Sequence, residues 1–243
     1  MIRDRFKDKE YFDKDIERVF LFVVDQKKDT EELKIKLKDQ FPLVNYYMVA
    51  NGIYLYIKKA FSRGDDVSSL VSPCKEMLNY YAKSISLNDD YSDGGDIIYT
   101  EFLGMISLGV LLDTKEELEE IYRLIGKINY DDYLIYFILN NVYPNAQPSE
   151  NLLWPDDVAC KKLKSMTLLP KIEAEGEMKD YLEKYFYTKE NFEDEYNAHK
   201  KNHSGYSGYW SWEAGAVTKI MGLDDNSYKD NPYYPYDIVH WQN

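Results

Sequence analysis

The chain has 243 residues and a net charge of −13, from 43 acidic and 30 basic side chains, with only 12 Gly, 8 Pro and 2 Cys. A chain of this length buries roughly 70% or more of its unfolded surface, so it needs neither disulfide nor metal to fold. Cys74 and Cys160 share no motif, the opening MIRDRFKDKEYF is too charged for a secretory leader, and no apolar run is long enough to span a bilayer; this excludes a disulfide scaffold and a membrane protein, and predicts a cytoplasmic location.

Helical periodicity in nearly every segment predicts an all-α fold, an array of antiparallel helical hairpins. Its two parts, 1–113 and 114–243, are expected to pack as one unit. Phe12, Ile16, Val19, Phe20 and Val23 share one face of a first helix over 4–25. Thr30, followed by Glu31 and Glu32, reads as the N-cap of a second helix. Pro42 belongs in the first turn of the next, over 44–61. Gly64 supplies the positive φ of a turn, and 67–85 returns as the antiparallel partner. NDDYSDGGD, 88–96, is the clearest loop; its aspartates lack the alternate spacing and final Glu of a calcium loop. The nearly all-apolar stretch 97–112 is expected at the centre. Thr114 and Glu117 form the pattern of a capping box for a helix over 115–128. Asp131 and Asp132 open another over 133–142, and Pro144, Pro148 and Pro155 mark an irregular connection. Three further helices are expected over 156–165, 173–187 and 189–201.

The segment from Gly205 to Trp241 holds three of the four Trp and few charges. Trp210, Ala214, Val217, Ile220 and Met221 recur at helical spacing. Gly222 stands where a helix takes a left-handed C-terminal residue. Pro232 and Pro235 predict an extended strap that closes the core beside this aromatic helix. Trp210, Trp212, Glu213, Gly222, Pro232 and Pro235 are therefore assigned to structure, with the Glu213 carboxylate as a hydrogen-bonded latch.

GYWSWEAGAVTKIMGLDD and NPYYPYDIVHW in this segment resemble the PoNi-type immunity proteins, the bacterial family that neutralises PoNe nuclease toxins. EMKDYLEKYFYTKENFEDEYNAHKKNHSGY upstream and YIKKAFSRGDDVSSLVSPCKEMLNYYAKSI in the N-terminal half are also similar to that family. The resemblance covers most of the chain, is weaker before Asn51, and takes in Met1 to Gln40 only as a charged helical leader. It implies a non-enzymatic inhibitor whose partner is a cognate nuclease toxin.

The contact residues come from charge distribution alone. Two stretches, 84–114 and 128–160, carry eleven acidic residues and no Lys or Arg, while the remaining 32 acids nearly balance the 30 basic residues. Such a surface repels nucleic acid and attracts a basic protein; solubility is its plainer reading. Asp89, Asp90, Asp93 and Asp96, then Asp131 and Asp132, are the candidate partner-binding residues.

Two other functions fit the residues less well. A hydrolase could use Glu213 as a general acid or base, or His199 and His203, which would share a helical face with Glu195. Lys200 stands where a metallopeptidase helix carries its glutamate. A generic helical adaptor is the other reading. With no phosphate loop, nucleophile elbow or paired-cysteine site, no cofactor or metal is expected.

Overall fold

The computed structural model describes residues 1–86, 99–128, 130–143, 149–201 and 205–242. The fold is all-α: eleven α-helices, and no strand, occur among the described residues. Helix α1 (Lys9–Leu37) begins where Asp8 accepts the Tyr11 amide hydrogen at 2.9 Å. It runs straight through Thr30, which is no cap. Thr30 is buried on the same stripe as Phe12, Ile16, Val19 and Val23, and packing of that stripe outweighs the weak helix propensity of threonine.

Helix α2 (Val44–Arg63) starts two residues after Pro42 and ends at Gly64, whose φ of +94° admits a side chain only with strain. A turn capped by Asp66 leads into α3 (Val71–Ser84). Helix α2 packs between α1 and α3 as a pair of hairpins. Helix α4 (Tyr99–Leu111) is buried along its whole length from Phe102. Around it lie α5 (Lys115–Ile125) and α6 (Tyr133–Leu139), with α3 on another side. The capping box expected at α5 is absent. The Thr114 hydroxyl donates back to the Gly109 carbonyl at 3.2 Å instead.

Helix α7 (Val158–Thr167) is capped by Asp157, which accepts from the Cys160 amide at 2.6 Å. Helix α8 (Lys171–Asp180) widens into a π-helical turn over Tyr181–Phe186. The long helix expected over 189–201 is not formed. Helix α9 (Lys189–Phe192) is a single turn, stopped by Glu193 at φ +38°, and Asn197 at φ +59° separates two further short turns. Helix α10 (Trp212–Met221) packs on α4 and ends at Gly222, φ +62°. The extended strap is also corrected. Tyr234 donates its amide to the Asn231 carbonyl at 3.1 Å, a β-turn with Pro232 in its second position, where the ring's fixed φ suits it. Pro235 then precedes the short helix α11 (Tyr236–Val239).

One apolar cluster runs from Phe12 to Val239, so the first and last helices share a core. Buried polar contacts fasten the two ends. Asp15 pairs with the fully buried Lys59, whose ammonium also donates to the Tyr206 carbonyl at 2.7 Å. Ser62 accepts from the Trp210 indole at 2.7 Å and donates to the Ser207 carbonyl at 2.8 Å. Asp4 accepts from the Tyr206 hydroxyl and from the amides of Phe6 and Lys7.

Candidate protein-binding face

Three places could carry function: the acidic stretches, the Glu213 carboxylate and the His199 region. Asp89, Asp90, Asp93 and Asp96 lie outside the described residues. Asp131 and Asp132 are adjacent in sequence but opposite in environment. Asp131 is exposed, and hydrogen bonds from Ser149 and Asn151 hold its carboxyl below the usual range, so it is charged. Asp132 is wholly buried. It caps α6 through the Ile135 amide at 3.0 Å, and it also accepts from the Leu153 amide at 2.9 Å and the Tyr99 hydroxyl at 3.1 Å. Burial pushes its carboxyl up despite these bonds. Asp132 is thus a structural pin and cannot serve in an exposed rim; the expectation failed because a capping aspartate looks the same in sequence as a surface one.

That pin ties Tyr99, in the first basic-free stretch, to the second. Tyr99, the first described residue after 87–98, meets Asp132 from the second stretch and packs its ring 5.2 Å from that of Trp154. Trp154 is 40% exposed and Val158 54% exposed. Asp131, Glu150 and Asp156 are exposed in the same stretch, Asp156 fully. Lys161 lies 3.7 Å from Asp156, and Lys164 donates to the Glu150 carbonyl, so two cations border the face on the α7 side. An exposed indole in a stretch of exposed carboxylates has the composition of an interface anchor with a charged rim. Sequence reasoning passed over Trp154; the available signal was that it is the one Trp of 128–160, next to Pro155.

Glu213 behaves as a latch. Its carboxylate accepts from Ser211 at 3.0 Å and Tyr181 at 3.2 Å, beside the start of α10, and burial pushes its carboxyl up. The groups it touches, a serine and a tyrosine, fix the turn into α10.

The shared helical face for Glu195, His199 and His203 does not exist. Asn197 breaks the helix between the first two, and His203 lies outside the described residues. His199 sits with its ring 4.7 Å from Phe6 and its Nδ1 3.1 Å from the Tyr209 hydroxyl, and burial holds it below its ordinary value. No cluster of three His, Cys, Asp or Glu able to hold a metal ion occurs among the described residues.

His240 and Asp225 form a cluster that the sequence did not reveal. Asp225 accepts from the Tyr234 hydroxyl at 2.9 Å and lies 2.7 Å from His240 Nε2. Their spacing of fifteen residues across a turn gives no periodic signal. The pair closes the C-terminal turn onto the end of α10.

Among the described residues, no helix is long and apolar enough to cross a membrane. Residues 130–238 match the family model described as PoNe immunity proteins (PoNi), C-terminal. No curated protein matches the chain. Among solved structures, the crystal structure of protein PA2201 from Pseudomonas aeruginosa superposes with a TM-score of 0.60 at 17% identity, over 81% of this chain and 73% of that one. That likeness shows a shared fold.

Proposed function

We propose that this chain, whose residues 130–238 match the family model of PoNe immunity proteins, is a PoNi-type immunity protein that binds a cognate bacterial nuclease toxin and neutralises it without catalysis of its own. The family match is the observation that carries this reading. The family implies an immunity protein directed against PoNe nuclease toxins. The cytoplasm is the proposed place of action, where such a nuclease meets DNA.

The mechanism follows from charge. A nuclease holds phosphates with cationic groups. The stretch carrying Trp154, Asp131, Glu150 and Asp156 offers those groups exposed carboxylates in place of phosphates. Complementary charge speeds encounter and sets orientation, while the indole supplies desolvated contact area. A stable complex of this kind buries roughly 1,600 Å² in total. The acidic rim is supported by the exposure of Asp131, Glu150 and Asp156 in the second basic-free stretch.

The test is co-expression with the PoNe-type nuclease toxin of the same organism, followed by affinity pull-down and a DNA-cleavage assay. The reading predicts a stoichiometric complex with cleavage abolished. Absence of both binding and protection against that nuclease would overturn it.

A further inference from the structure

The exposed side of α1 carries a pattern that the inhibitor role does not use. Leu21 is 54% exposed and Val24 43% exposed, inside the run Phe20–Val24, where only Val23 is buried. Consecutive apolar residues on the solvent face of a helix call for a partner. On this face Lys14, Glu17, Leu21, Val24, Lys28 and Glu31 recur at alternating steps of three and four, the period of a helix–helix seam. All six are exposed.

The order of these residues is self-complementary. When a second α1 is laid antiparallel across the first, with the two-fold axis between Phe22 and Val23, Leu21 of one copy faces Val24 of the other. The next layer outward sets Glu17 against Lys28, and the one beyond sets Lys14 against Glu31. Every layer is thus apolar on apolar or opposite charge on opposite charge, and a two-fold contact repeats each match twice. The match ends there, since Glu10 and Ile35 are not complementary. Asp13, at the margin of the stripe, is already neutralised by Lys9 and Arg63. The pairs that Lys14 and Lys28 make within their own helix, with Glu10 and Glu32, are exposed i,i+4 contacts and cost little to exchange.

We infer that the outer face of α1 is the interface of a homodimer, in which two α1 helices pack antiparallel about an axis between Phe22 and Val23. The partner is a second copy of this chain, because the charge order fits its own reverse. A seam of one helix on one helix lies at or below the low end of stable interfaces, about 1,200 Å², so the dimer forms and dissociates with concentration.

Sedimentation velocity on the full chain over a wide concentration series tests this, with circular dichroism to verify that each variant is folded. Wild type is expected to shift from monomer to dimer. Leu21→Glu with Val24→Glu should be monomeric throughout. Glu17→Lys, which places a second positive charge opposite Lys28, should weaken the dimer roughly tenfold, and adding Lys28→Glu should restore it by reversing the pair. A wild-type chain that stays monomeric across the series overturns the inference. So does a dimer indifferent to Leu21→Glu with Val24→Glu, or a Glu17→Lys defect that Lys28→Glu fails to rescue. If the chain is monomeric while the Leu21/Val24 variant loses capture of the nuclease, the stripe belongs to the toxin and the homodimer is excluded.

Discussion

The C-terminal closure, 205–242, and the face around Trp154 are built from the same residue types and use them in opposite ways. In the closure, Trp210 donates its indole hydrogen to Ser62, Glu213 is engaged by Ser211 and Tyr181, and Asp225 by Tyr234 and His240. On the other face, Trp154 packs on Tyr99 yet stays 40% exposed, and Asp156 is fully exposed with Lys161 3.7 Å away. An aromatic–acidic motif therefore says little until its partners are counted. Groups buried among their partners hold the fold, and exposed ones remain accessible to another molecule. Asp131 and Asp132 make the same contrast between neighbours.

The sharpest way to break the closure is at the buried Asp15–Lys59 pair on which its Tyr206 carbonyl rests. Asp15→Ala leaves the Lys59 ammonium without its carboxylate in the interior, and should cost about 3–5 kcal/mol in urea unfolding. Trp154→Ala attacks the other face: toxin affinity should fall about thirtyfold, roughly 2 kcal/mol, as read by calorimetric titration, with the fold retained. Asp132→Ala removes a cap and strands the Leu153 amide and Tyr99 hydroxyl, so stability should drop by about 2 kcal/mol. Asp132→Asn keeps one oxygen for the Ile135 amide but turns an NH2 toward the Leu153 amide, so it should recover only part of that loss.

A smaller effect is pH dependence. Burial raises the carboxyls of Asp4, Asp132 and Glu213, so the folded chain keeps protons there that the unfolded chain has released. Their contribution is full below the ordinary carboxylate value of about 4 and is lost as pH rises through the raised values. Urea midpoints measured on the acid side should show that slope, and Asp132→Asn should flatten it. The smallest effect is expected at Glu213→Gln, which can still accept from Ser211 and Tyr181. Protection against the nuclease should be unchanged, and a loss of protection with stability intact would argue for chemistry at that carboxyl.

Much of the fold is legible in the sequence because periodicity reports which face is buried. The apolar run 97–112 announces the central helix, and Gly64 and Gly222 mark turns that only a left-handed residue makes easily. What escaped is decided by tertiary contacts. Thr30 looks like a cap until its burial in α1 is known, and Thr114 turns its hydroxyl backward to Gly109. The helix expected over 189–201 fails at Glu193 and Asn197, whose positive φ values no propensity foretells. The candidate face was half legible. Charge counting found the acidic stretches, but it could not tell Asp131 from Asp132, and it gave no weight to Trp154.

The central claim, that an acidic face neutralises a nuclease, is tested most directly by reversing Asp131, Glu150 and Asp156 to Lys together and titrating the variant into the nuclease's DNA-cleavage reaction. The account predicts a folded protein whose inhibition is weakened at least tenfold, with the wild-type salt dependence reduced. Inhibition equal to wild type at every ionic strength would contradict the acidic face.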